Sequence, residues 1–133
     1  MAQRIPSLFI AESELGGRGV FTAEPLEAGS LIEICPVIVL PEEDLPAIHG
    51  TGLHDYYFLW EENQKKCAIA LGYGSLYNHS YQPNARYDAD YEGQTLDFYT
   101  LEDIEAGSEI TVNYNGEPDV KTPVWFDKSG ETS

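Results

Sequence analysis

Residues 72–86, Gly-Tyr-Gly-Ser-Leu-Tyr-Asn-His-Ser-Tyr-Gln-Pro-Asn-Ala-Arg, gather side-chain amides, an imidazole and aromatic rings into one short stretch. A connecting loop needs only turn formers, whereas Asn78, His79 and Asn84 around Pro83 supply several fixed donors and acceptors. Three simple chemistries fail on these residues. Ser80 and His79 are adjacent, and Ser80 lacks the glycine-flanked elbow of a hydrolase nucleophile. His79 has no ligand spacing to His49 or His54 that suits a metal ion, so none is expected. Asn78-His79-Ser80 fits the glycosylation acceptor pattern, but that chemistry needs a secretory route, and the apolar run in residues 1–10 is too short for a signal peptide. A second candidate, Gly16-Gly17-Arg18-Gly19, lacks the third glycine of a dinucleotide fingerprint and the Lys-Ser/Thr of a phosphate loop, and by itself reads as a turn.

A chain of 133 residues suits one domain that buries about two thirds of the surface its unfolded form exposes. Seven basic against 23 acidic residues give a formal charge of −16, which argues against direct contact with a nucleic-acid backbone. A basic partner suits the charge better. Residues 87–120 hold ten acidic residues and no Lys or Arg, enough for a field that draws in a cationic peptide. An acidic face serving only solubility fits the same composition. No apolar run approaches membrane-spanning length, and an intracellular protein is expected, cytoplasmic, or nuclear and chromatin-associated in a eukaryotic host. Cys35 and Cys67 sit in apolar, strand-like contexts and are expected as buried free thiols.

These groups need a scaffold, and the apolar pattern predicts many short strands. Residues 7–12 read as a strand, a glycine turn follows at 13–19, and 20–22 resume extended structure. Residues 31–40 form a strongly apolar strand in which Pro36 implies an edge position or a bulge. Residues 41–52 read as loop. Residues 53–60 and 65–71 read as a hairpin with a four-residue connection, 86–91 and 95–101 as another, and 109–114 as a last strand. Helix is confined to short turns such as 73–77. An internal echo aligns residues 22–34 with 100–112: both carry Glu-Ala-Gly-Ser, and Leu26, Ile32 and Ile34 match Ile104, Ile110 and Val112. Two copies suggest two similar strand–turn–strand units and are too few for a solenoid.

Gly-Gly-Arg-Gly-Val-Phe at 16–21, Asn-His-Ser-x-x-Pro-Asn-Ala at 78–85 and Glu-Ile-Thr-Val-Asn-Tyr at 109–114 together resemble, in order and spacing, the SET-domain protein-lysine methyltransferases, and among them the minimal single-domain members of viruses and bacteria. The resemblance covers about residues 5–114. It implies a mostly β SET-domain fold: small curved β-sheets around a knot-like C-terminal crossing, with few short helices, in which the segment after Glu109 threads a loop near 78–84. Residues 1–133 would be a single SET domain with its core at about 5–114 and a C-terminal post-SET-like segment at 115–133. Crossing segments bury backbone groups that have no ladder partner, and Asn and His side chains are short enough to satisfy them.

The activity implied by the resemblance is transfer of a methyl group from S-adenosylmethionine to a lysine of a basic protein or peptide such as a histone tail, leaving S-adenosylhomocysteine. Tyr114 would be the catalytic tyrosine beside the transferring methyl, and Tyr56 a tyrosine of the lysine channel. Gly17, Arg18, Gly19, Asn78, His79, Tyr114 and Trp125 would hold the cofactor, with Trp125 or Phe126 stacking on adenine. Pro83 and Asn84 would be architectural. Trp125 and Phe126 are equally compatible with packing on a sheet, and Tyr56 and Tyr114 with ordinary strand tyrosines in a chain that has nine.

The chain departs from the family pattern in places. It lacks the flanking cysteine clusters that bind zinc in many members, so zinc is not expected. Tyr81 stands where a cysteine often follows Asn-His-Ser, and Asn113 where Asp often precedes the tyrosine; neither change removes a reacting group. The short 41–52 segment lies where the family shapes its substrate groove, so a homodimer that completes the groove is a possible partner arrangement. Two other classes remain open: a catalytically inactive SET-like module that only holds peptide or cofactor, and a small-molecule enzyme using the acidic cleft.

Overall fold

In the computed structural model, which describes residues 3–60 and 66–114, the two copies of the internal echo are bonded to each other. Leu26 N–H donates to Ile104 O at 2.8 Å and Ile104 N–H to Leu26 O at 2.9 Å; Thr22 N–H reaches Ser108 O at 3.2 Å and Thr100 N–H reaches Ser30 O at 2.9 Å. Residues related by an offset of 78 positions exchange the same bonds, so a local two-fold axis passes between Leu26 and Ile104. Gly29 and Gly107, one in each Glu-Ala-Gly-Ser turn, hold φ of 79° and 85°, a left-handed conformation that glycine adopts without a Cβ penalty.

The strands are β1 (Gln3–Arg4), β2 (Leu8–Glu12), β3 (Arg18–Thr22), β4 (Leu31–Leu40), β5 (Tyr57–Trp60), β6 (Lys66–Ala70), β7 (Asn78–His79), β8 (Ala85–Asp90), β9 (Thr95–Thr100) and β10 (Glu109–Val112). One sheet runs β5-β6-β4-β9-β8 with β1 also on β4, and the other runs β2-β3-β10-β7. The two-fold accounts for both orders. The β2–β3 hairpin that runs into the first copy receives β10 from the second (Glu109↔Phe21), and the β8–β9 hairpin that runs into the second receives β4 from the first (Leu31↔Tyr99). Each copy thereby lends its last strand to the other. The exchange packs Val20, Ile32, Leu96, Phe98, Ile110 and Val112 into one core, where burying each such side chain stabilises by roughly 1.5–3 kcal/mol.

The mostly β architecture agrees with the sequence, including a 3-10 turn at Gly74–Leu76, but several local expectations do not hold. Residues 41–52, expected as loop, contain a 3-10 turn at Glu42–Asp44 and the helix α1, Leu45–His49. Pro46 lies in the first turn of α1, where a fixed φ suits the helix and a missing N–H costs nothing. A second 3-10 turn, Gly52–Asp55, replaces the first half of the strand expected at 53–60; its Thr51 cap accepts from Leu53 N–H at 3.1 Å. The pairing Trp60↔Lys66 joins β5 and β6 as the expected hairpin; its connection, expected at 61–64, falls among residues 61–65, which lie outside the described residues.

Pro36 is neither on an edge strand nor at a bulge, since β4 is interior and its register shift lies between Leu31 and Glu33. Val37 N–H bonds Gln94 O on the β9 side, so residue 36 faces the other way. There β1 pairs with Glu33 and Ile34, and β6 begins its pairing at Val37. The N–H that proline lacks falls in the gap between those neighbours, where no ladder bond is lost.

Candidate active site

Strand β10 enters between β3 and β7, antiparallel to the first and parallel to the second, with Thr111↔Asn78 and Val112↔His79 in register. A short parallel pairing leaves backbone groups without ladder partners, and Asn84 supplies them. Its Nδ2 donates to Glu109 O and its Oδ1 accepts Thr111 N–H, both at 2.9 Å. The Asn84 amide thus holds the incoming strand, the architectural role expected of it.

Beyond β10 the chain reaches Tyr114, which is fixed at three points. Its N–H donates to His79 Nδ1 at 3.0 Å, its hydroxyl donates to Tyr77 O at 2.7 Å, and its carbonyl accepts the Tyr87 hydroxyl at 3.3 Å. Because Nδ1 accepts, the neutral His79 ring carries its proton on Nε2. The imidazole is buried, edge-on to Tyr81 with centroids 4.3 Å apart and 5.1 Å from the Tyr114 ring.

The glycine loop joins the same region through Glu109. One carboxylate oxygen accepts Ser13 Oγ at 2.6 Å and the other accepts Asn78 Nδ2 at 2.7 Å, while Asn78 Nδ2 also lies 3.2 Å from Arg18 O. Gly16 and Gly17 hold φ of 114° and 62° with open space where a Cβ would stand, whereas a Cβ at Gly19 would lie 2.1 Å from Glu109 Oε2. Arg18 opens β3 with an exposed side chain. The three sequence motifs therefore meet: Gly17 to Gly19, Asn78, His79 and Tyr114 are brought together by bonds among residues far apart in the chain.

Tyr56 lies apart from these bonds, half-exposed at the start of β5, with its carbonyl accepting Ser75 Oγ at 3.0 Å. Trp125 and Phe126 lie outside the described residues, as does the whole 115–133 segment. Among the described residues no group of three His, Cys, Asp or Glu side chains could hold a metal ion. Two residues absent from the sequence-based candidates belong to the cluster. Glu109 bridges loop and Asn78, and Tyr87 touches Tyr114 while its ring meets Phe58 at 5.1 Å and Phe98 at 5.6 Å. The signal for Tyr87 was its alternation with Ala85 along a strand leaving Asn84, and for Glu109 its place at the head of the last motif.

A family model for the SET domain matches residues 17–115, which takes in every bond of this cluster except that of Ser13. The chain belongs to the SET-domain family. A Schizosaccharomyces pombe relative named histone-lysine N-methyltransferase, H3 lysine-37 specific, is 33% identical to this SET domain over 128 residues, 95% of this chain and 81% of the relative. A crystal structure of a Plasmodium falciparum protein assigned as a histone methyltransferase shares 33% identity and a TM-score of 0.67, covering 84% of this chain and 94% of that one. A structure of ctPRC2 in an autoinhibited conformation bound to S-adenosylmethionine matches at a TM-score of 0.68 over 81% of this chain and 15% of its own; at 21% identity it bears on the fold alone.

Beneath the cluster, burial first and the Glu33 carboxylate second push the Cys35 thiol and the Tyr77 phenol above their ordinary values of 9.0 and 10.0. The folded state therefore holds these protons more tightly than the unfolded chain, and the stability they contribute is complete below about pH 9 and lost as pH rises beyond it. Urea midpoints should be level between about pH 7 and 8.5 and fall steeply above about pH 10. Cys35 and Cys67, both free and buried, should resist iodoacetamide in the native protein and react on unfolding; a midpoint unchanged into strong alkali would contradict this account.

Proposed function

We propose that this SET-domain enzyme transfers methyl groups from S-adenosylmethionine to a lysine of a basic protein, with histones as the substrate class. The observation that carries the reading is the three-point fixation of Tyr114, one point of it on His79 of β7, the strand whose Asn78 bonds Arg18 O of the glycine motif. S-adenosylmethionine, when bound, supplies an electrophilic sulfonium methyl. Gly17 would offer it main-chain groups with open space beside them, Arg18 and Gly19 theirs from the start of β3, and Asn78 and His79 theirs from β7. The Tyr114 hydroxyl donates its hydrogen bond to the Tyr77 carbonyl, so the lone pairs of its oxygen are left to orient an incoming amine.

That amine must be neutral to act as a nucleophile, yet a free lysine, with a pKa of about 10.4, is protonated at pH 7. Burial against aromatic rings favours the neutral form. Tyr87 and Phe58 form such a wall beside Tyr114, and Tyr56 stands at the head of the strand that carries Phe58. The relative's name and the charge of −16 both support a basic protein substrate, which would place the enzyme inside the cell and at chromatin. A second copy of the chain that would complete a substrate groove at residues 41–52 belongs to the same proposal, and sedimentation as monomer alone would remove it.

The test is incubation with labelled S-adenosylmethionine and core histones, followed by mass spectrometry of the products. Methyl-lysine is expected. Cofactor binding without any peptide product would instead favour a module that holds its ligands without transfer. Gly19→Ala probes the cofactor loop, because the new Cβ would push on Glu109 and Asn78. It should weaken S-adenosylmethionine binding by about tenfold, within the 1–3 kcal/mol typical of overpacking. An unchanged Kd by calorimetry would place the cofactor away from this loop.

A further inference from the structure

The bulge in β4 is where the two copies of the internal repeat differ. The pairs Phe21↔Glu109 and Val20↔Ile110 correspond by the repeat offset to Tyr99↔Leu31 and Phe98↔Ile32, but Phe98 pairs with Glu33 instead. The extra residue puts Glu33 on the buried face with Cys35 and Val37, at 2% exposure. Bulges beside active sites commonly re-aim a side chain in this way. Glu33 Oε1 accepts the Tyr77 hydroxyl at 2.8 Å, and Oε2 accepts Tyr73 N–H at 3.0 Å with Arg4 Nη1 at 3.4 Å. The Tyr77 ring, itself 1% exposed, stacks on Phe98 with centroids 4.3 Å apart.

The segment leading to Tyr77 is shaped around this carboxylate. Gly72 has φ +67°, and a Cβ there would stand 2.4 Å from Glu33 Oε2. Burying a carboxylate is costly unless its oxygens are occupied, and here Tyr73 and Tyr77 reach them from the turn before β7 and Arg4 from β1. The far end of the same tyrosine, its carbonyl, is the acceptor of the Tyr114 hydroxyl. With its ring clamped at the face by Phe98 and at the tip by Glu33, Tyr77 cannot swing, and its carbonyl keeps one direction.

The geometry points to Glu33 as a positioning residue for methyl transfer: through the Tyr77 phenol it fixes the carbonyl that orients the Tyr114 hydroxyl. The inference rests on the role of Tyr114 given under the proposed function, so its test has one readout that does not depend on activity. In protein labelled with 13Cζ-tyrosine, the Tyr114 resonance is assigned by its loss in Tyr114→Phe. Glu33→Gln keeps the side-chain shape but meets Tyr73 N–H with an amide, and Tyr77→Phe removes only the phenol. Each should move the Tyr114 resonance and lower the single-turnover rate by about fivefold, within the coupling found inside one hydrogen-bonded network, with KM for both substrates unchanged.

In the Tyr114→Phe background neither change should lower the rate further, because the hydroxyl they act through is gone. An active wild type whose Tyr114 resonance stays put in both variants overturns the inference and leaves the methyltransferase reading intact. Rate losses that add to that of Tyr114→Phe overturn the route through its hydroxyl. A wild type that transfers no methyl group, with a Tyr114 resonance that still moves, overturns the methyltransferase reading and leaves the coupling standing. If Glu33→Gln does not fold, Tyr77→Phe decides by the same criteria.

Discussion

Tyr114→Phe is expected to lower the rate of methyl transfer by about a hundredfold, the scale on which a reacting group misplaced by about 1 Å loses rate, while S-adenosylmethionine binds as before. Phenylalanine keeps the ring beside His79 and leaves both backbone bonds of residue 114, to His79 Nδ1 and from Tyr87, in place. Only the hydroxyl is lost, and with it the bond to Tyr77 O at 2.7 Å. What remains can bind both substrates but has no oxygen to align the amine. A fall in kcat with unchanged cofactor affinity marks an interaction made in the transition state. Single-turnover transfer to a histone peptide at saturating cofactor measures the first, and calorimetry the second. Equal single-turnover rates for the two proteins would remove Tyr114 from catalysis.

Asn84→Ala is expected to destabilise the fold by about 2 kcal/mol, because it leaves Glu109 O and Thr111 N–H without their partners at a cost of roughly 1 kcal/mol or more each. For a chain of this size that corresponds to a fall in Tm of about 5–10 °C. The effect should be larger than for truncation of an exposed loop residue, since both groups lie on β10, the strand lent by one repeat to the other. Asn84→Asp keeps the acceptor for Thr111 N–H but sets a carboxylate oxygen against Glu109 O, acceptor facing acceptor, and should cost at least as much. Urea unfolding followed by circular dichroism gives both values. A change near zero for Asn84→Ala would mean that pairing with β3 and β7 holds the strand unaided.

The two predictions draw on different parts of what could be read in advance. Asn84 was legible once the resemblance implied a crossing, since a crossing segment must have its backbone groups satisfied and a short amide in a polar stretch can do it. Tyr114 was legible through the resemblance carried by three separated motifs. Glu109, Tyr87 and Glu33 were not, although each is in plain view in the sequence. A glutamate at the start of a strand or one residue past a bulge looks like any solvated carboxylate, because its partner is a residue 31 positions away, as Asn78 is for Glu109, or 44 away, as Tyr77 is for Glu33. The prolines misled for the same reason. Pro46 opens a helix and Pro36 sits inside a sheet, outcomes set by neighbours and not by the residue alone.

By itself the sequence determined the class of fold, the repeated strand–turn–strand units and the three motifs, because alternation, turn glycines and repetition are properties of nearby residues. Only the tertiary structure decided that the two repeats exchange their last strands about a two-fold, that one bulge breaks the symmetry, and that the break turns Glu33 toward Tyr77. Those features depend on which backbone groups meet across 78 positions of chain, and register at such a distance is chosen by packing of the whole core, where Phe98 opposes Glu33.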